Sequence, residues 1–175
     1  DNATSIQTAI NTVSTAGGGK VVIPAGTWLS GPLEIKSNVV LHLSANTKLM
    51  MLPYNADSSQ GYPHDKNQYF IGTGSASVEN VVIEGEGDTS ILDGQGEDWW
   101  RAMDEKTLTG DRPGALIRFA KGSKFLVRNI KFQNAPNTNL TLGNSGNASN
   151  FTIHDVTIVN PSSIQKEAEA DGRCH

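Results

Sequence analysis

Apolar and polar positions alternate along this chain in short bursts, and one burst is written twice. Phe125, Val127, Ile130, Phe132 and Asn134 return as Phe151, Ile153, Val156, Ile158 and Asn160, an offset of 26 residues at either end (151 − 125, 160 − 134). In each copy a polar residue, Asn129 or Asp155, shifts the alternation by one position before it resumes. Two short strands divided by a tight bend read this way, with the apolar side chains on one face. A looser copy, Val78 to Gly85, lies upstream. Strand repeats at a period of roughly 20–50 residues predict a solenoid whose turns stack on one another.

The remaining bursts fit that frame. Val21–Pro24, Leu33–Ile35, Val39–Leu43, Lys48–Met51, Val81–Ile83, Ile91–Asp93, Ile117–Phe119 and Leu140–Leu142 read as short strands parted by Gly, Pro, Asn or Ser. Ile6, Ala9, Ile10 and Val13 instead recur at helical spacing. They predict a helix over 4–16 that covers the open edge of the first coil, with Thr4 and Gln7 as a capping box and Gly17–Gly19 as its stop. Residues 53–70 and 97–113 break the rhythm and predict loop excursions, the second with Met103 and Leu108 at loose helical spacing. Coils are expected over 20–163 and an irregular tail over 164–175, within one domain of 1–175. Asn80, Asn129, Asn134 and Asn160 are expected at bends, where Asn tolerates left-handed backbone.

Composition narrows the function classes. Eighteen glycines and seven prolines favour turns over long helices. A net charge of −4 argues against nucleic acid as the main partner, and no apolar run reaches membrane-spanning length. A single cysteine, Cys174, excludes an intramolecular disulfide. No secretory leader is legible at Asp1. His64 with Asp65, and His154 with Asp155, lack a third partner at ligand spacing, so neither a structural metal nor a cofactor is expected.

Several stretches, in order, resemble one family. They are the helix leading into Gly17-Gly18-Gly19-Lys20-Val21-Val22-Ile23-Pro24-Ala25-Gly26; Leu41-His42-Leu43; Ile91-Leu92-Asp93-Gly94-Gln95-Gly96 before Trp99-Trp100; Arg112-Pro113; Asn134-Ala135-Pro136; and Val156 to Ser163. Together they resemble the pectin-degrading glycoside hydrolases of the polygalacturonase type, in the pectin-lyase-like superfamily. The resemblance covers about residues 4–163. It implies an all-β, right-handed parallel β-helix with an N-terminal capping helix, here without the family's C-terminal coils. It also implies hydrolysis of α-1,4-galacturonosyl bonds, an acidic plant polysaccharide (pectin, polygalacturonate) as partner, and a secreted or periplasmic location.

The family's first catalytic aspartate lies in Asn-Thr-Asp-Gly, where this chain reads Glu169-Ala170-Asp171-Gly172. The later Asp-Asp, Gly-His-Gly and Arg-x-Lys motifs have no counterpart. Glycoside hydrolysis needs two carboxyl groups, and Asp171 alone cannot fill both roles. It is either the first catalytic carboxyl or an exposed Asp-Gly turn. Asp93, also before a glycine, reads as a turn residue. Trp99 and Trp100 either stack on sugar rings or plug the solenoid wall. His154, in the Arg128 position of the repeat, is a candidate substrate contact. Two other readings stay open: a non-catalytic β-helix that binds polysaccharide, and a lyase of the same superfamily, for which no carboxylate cluster suited to Ca²⁺ is visible. An uncovered last coil also predicts self-association.

Overall fold

The computed structural model describes residues 1–143 and 147–161. Helix α1 (Ala3–Thr15) precedes a chain that winds through β1 (Gly19–Ile23), β2 (Gly26–Ser30) and β3 (Leu33–Glu34). It then passes through β4 (Val39–Leu43), β5 (Thr47–Met51) and β6 (Tyr69–Gly72), and through β7 (Val78–Glu84), β8 (Ile91–Asp93), helix α2 (Gly96–Asp104) and β9 (Ala115–Phe119). Strands β10 (Gly122–Gln133), β11 (Thr138–Leu142) and β12 (Ala148–Val159) complete it. All pairings are parallel. The first halves of β10 and β12 continue the β1–β4–β7 stack, their second halves continue β2–β5–β8, and β3–β6–β9–β11 form a third wall. This is a parallel β-helix.

Registered columns of apolar side chains fill it. Val21, Leu41, Ile83 and Val127 are aligned and buried. Each such side chain contributes about 1.5–3 kcal/mol relative to exposure. Next to this column the rings of Phe119, Phe125 and Phe151 stack, with 5.3 Å between Phe125 and Phe151 across the 26-residue repeat. Among the described residues the last member of this column is Ile153 on β12, 40% exposed, and Ile158, beside Phe132 in a neighbouring column, is 54% exposed.

The bends are held by left-handed residues. Asn38, Asn80, Lys124 and Asn150 all have φ near +60° at equivalent places, and Asn80 Nδ2 donates to Asn38 Oδ1 at 2.8 Å. Asn129 and Asp155, the phase-shifting residues of the repeat, are also left-handed, as is Asn134. Asn160 departs from the expectation. Its Oδ1 accepts the Ala135 N–H, so it serves the neighbouring coil's turn with its side chain.

The expected capping box is likewise absent. Asn2 is the N-cap without a side-chain capping bond, its Nδ2 donating instead to the Leu29 carbonyl, and the Ala3 N–H donates to Asp1 Oδ1. Gln7 turns sideways instead: its carboxamide donates to the Glu34 carbonyl and accepts the Glu34 N–H, at 2.9 and 2.8 Å. It thereby pairs β3, the edge of the third wall, whose backbone groups would otherwise lack a partner. Ile6 and Ile10 seal the first coil. Strands β2 and β6 and the full helix α2 lie outside the sequence expectation, β6 beginning at Tyr69 inside the expected loop.

Candidate functional site

The two excursions, between β5 and β6 and between β8 and β9, pack on each other. Tyr54 stacks on His64 at 4.9 Å, and the Trp99 ring meets both edge-on at 4.8 and 5.0 Å. The Thr109 hydroxyl donates to the Ala56 carbonyl and lies 3.0 Å from His64 Nδ1. Trp99 is wholly buried, so neither face of its ring is open to a saccharide. Trp100 is 7% exposed, and its indole N–H lies 3.2 Å from the Ala135 and Pro136 carbonyls. Arg112 donates to the same Pro136 carbonyl, with burial pulling its guanidinium down from its ordinary value and Asp104 opposing that. The Trp99-Trp100 pair thus joins the excursions to each other and to the Asn134–Pro136 turn.

Beside this module lies the outer side of the third wall. Glu34, Gly72, Arg118 and Thr141 occupy one register row across its four strands. The Arg118 guanidinium carbon sits 4.4 Å from the centre of the Tyr69 ring, and Arg118 also donates to the Tyr69 hydroxyl. Gly72 and Gly114 make the arrangement fit: a Cβ on Gly114 would come within 2.5 Å of Tyr69 Cε1, and one on Gly72 within 3.4 Å of its Cβ. Two hollows adjoin here, sharing Asn67, Tyr69 and Gly74. One, of about 440 Å³, reaches Gln7 and Asn11 of α1; the other, of about 250 Å³, is bounded by Thr73, Ser75 and Arg118. Lys36 is paired with Glu34 at 2.7 Å. Arg118 has no carboxylate partner among the described residues.

The first wall carries a different arrangement. Glu84, 6% exposed, receives Arg128 through Nε at 3.0 Å and Nη2 at 2.7 Å, with Lys20 and His42 each at 3.0 Å. Burial pushes its carboxyl up, but the hydrogen bonds from Arg128, Lys20 and His42 outweigh this and bring it down to about 2. His154 lies next to Arg128 in register, about half exposed and 2.7 Å from Asp155. It is on this wall, not on the wall of Arg118. Asp171 lies outside the described residues.

A third hollow, about 510 Å³, runs along α2 between Asp93, Glu97, Asp98 and Asp104, with Trp100 at its side. Asp93 there is tied down, accepting from the Gln95 N–H at 2.9 Å and from Gln133 Nε2 at 2.7 Å, with Lys48 at 3.5 Å. Its geometry is that of a turn residue. Four carboxylates against one arginine, Arg101, line this hollow and disfavour a polyanion, whereas the Arg118 groove offers a cation and polar groups, with Glu34 of the adjoining hollow paired to Lys36. The structure therefore does not gather Trp99, Trp100 and His154 into one open site. A half-buried cation without a carboxylate partner among the described residues, Arg118 on Tyr69, was missed. The signal in sequence was one arginine inside the apolar strand Ala115-Leu-Ile-Arg-Phe119.

Known proteins agree with this architecture. A probable polygalacturonase of Vitis vinifera is 27% identical over 91% of this chain, which spans 34% of that protein. The solved polygalacturonase of Erwinia carotovora ssp. carotovora is 27% identical, with a TM-score of 0.70 over 93% of this chain and 46% of its own. A hyperthermoactive exopolygalacturonase of Thermotoga maritima shares the fold at 22% identity and a TM-score of 0.68, over 90% of this chain and 43% of that one. The chain thus spans about a third to a half of the length of these relatives. The model of the glycosyl hydrolases family 28 matches residues 14–172, and the chain belongs to that family.

Proposed function

We propose that this chain is part of a pectin-degrading hydrolase that cleaves α-1,4-galacturonosyl bonds in polygalacturonate, acting outside the cell that makes it. The observation that carries the reading is the family match over residues 14–172, joined to two proteins named as polygalacturonases at 27% identity. Asp171 is the proposed first catalytic carboxyl, set where the family's motif has its aspartate. An inverting hydrolysis needs a second carboxyl about 6.5–9.5 Å away, one group protonating the leaving oxygen and the other activating water. His154 is a proposed contact for a saccharide reaching the first wall. Trp100, at the side of the α2 hollow, is a weaker candidate, and Trp99 has no surface to offer.

A second reading is a β-helix that binds acidic polysaccharide without cutting it. It is favoured by Glu169 and Ala170, which stand where the family's first catalytic motif has Asn and Thr. Reducing-end release from polygalacturonan, with ultraviolet absorbance followed in parallel, separates the cases. New reducing ends without unsaturated products support the hydrolase, and unsaturated products move the chain to lyase chemistry. Binding without cleavage by a folded sample leaves the second reading.

A further inference from the structure

We infer that the Arg118–Tyr69 groove on the third wall is a binding site for the carboxylate of a uronate saccharide. The choice of galacturonate as probe rests on the pectin reading; the site itself rests on geometry. A guanidinium that is partly withdrawn from water normally finds a carboxylate, because desolvating a lone charge is costly. The other arginines nearby do not stand open in this way: Arg128 is engaged by Glu84, and Arg112 by the Pro136 carbonyl. Arg118 is half-buried beside a hollow, and among the described residues only a neutral phenol holds it.

Tyr69 fixes the plane of the guanidinium by lying beneath it, and Gly72 and Gly114 keep that ring in place. The remaining N–H groups of Arg118 then form a preset planar fork, the geometry that a carboxylate accepts bidentately. Ser75, exposed, borders the same hollow, and Asn67 and Gln68 the adjoining one, with hydroxyl and amide groups suited to sugar hydroxyls. The ligand is therefore an acidic saccharide and not a bare small anion.

The test is titration calorimetry of the full chain with trigalacturonate, its fully methyl-esterified form and trimannuronate. It compares wild type with R118Q and with S75E, which places a carboxylate in the hollow and keeps the arginine should R118Q fail to fold. Expected are binding of trigalacturonate that weakens with salt, and a roughly ten- to hundredfold loss in both variants and for the ester. Equal affinity in wild type and variants overturns the site while leaving the pectin reading intact. Binding of trimannuronate but not trigalacturonate, dependent on Arg118, keeps the site and counts against the pectin reading. If no acidic trisaccharide binds, the site is overturned, and cleavage assays alone decide the function.

Discussion

Replacing Glu84 by glutamine should destabilise this β-helix in a way that acid erases. The side chain keeps its shape but loses the charge on which Arg128, Lys20 and His42 converge. A carboxyl lowered from 4.5 to about 2 corresponds to roughly 3 kcal/mol favouring the ionised, folded state. Lys20 and Arg128 are 50% and 41% exposed, so water screens part of that, and about 2 kcal/mol is the working figure.

The sign follows from the depressed folded value. The contribution is fully present above the unfolded value near 4.5, and it is lost as pH falls toward 2. Glu86, bonded to His42, is also lowered and adds its own acid sensitivity, which both proteins share. Urea unfolding of wild type and E84Q at pH 7 and at pH 3 reads the difference directly. It should be about 2 kcal/mol at pH 7 and clearly smaller at pH 3. A gap of the same size at both values would mean that lost packing or hydrogen bonding, not charge, sets the cost, and would refute the electrostatic account.

Trp99→Ala should cost about 3–5 kcal/mol, while Trp99→Phe should cost less, since it keeps an aromatic ring beside Tyr54 and His64 and removes a buried indole N–H without a partner. Thermal melts of the two variants give the order, and equal losses would contradict it. Lys124→Asn should raise the melting temperature by roughly 0.5–1 kcal/mol worth of stability, because Lys124 is held at φ +63° in a column otherwise built largely of Asn; a lower melting temperature would show that Lys124 has contacts worth more than its strain. Ile158→Lys, at an exposed apolar position of β12, should shift any oligomer seen by analytical ultracentrifugation toward monomer, and an unchanged distribution would place any self-association elsewhere.

What could be read from the chain alone was whatever repeats along it. The 26-residue repeat predicted strands that the structure pairs residue for residue, Phe125 with Phe151 and Phe132 with Ile158, because stacked coils demand the same side chain at the same place. Left-handed bends at Asn80, Asn129 and Asn134 were legible for the same local reason, since few other residues tolerate that conformation. Lys124 was not, because the bend there is imposed by the coils on either side against the residue's own preference. Gln7 misled for a related reason: a local capping signal was overruled by the unpaired edge of β3, 27 residues away.

Sites are harder still to read, because they are made between coils. Arg118 meets Tyr69 across 49 residues, and Glu84 meets Arg128 across 44 and His42 across 42. Neither arrangement has a spacing that marks it, since each interval depends on how long an excursion intervenes. The conspicuous residues were conspicuous for another cause: adjacent tryptophans stand out in a sequence, yet their size makes them the natural fasteners between two loops, and burial follows from that. In a solenoid an arginine alone in an apolar strand carries more information than a tryptophan pair. Such an arginine points away from the core, onto a wall that neighbouring coils extend, and whether a neighbour supplies a carboxylate decides between a salt bridge and a binding groove. Glu84 supplies one to Arg128; Gly72 and Thr141, which flank Arg118 in register, cannot.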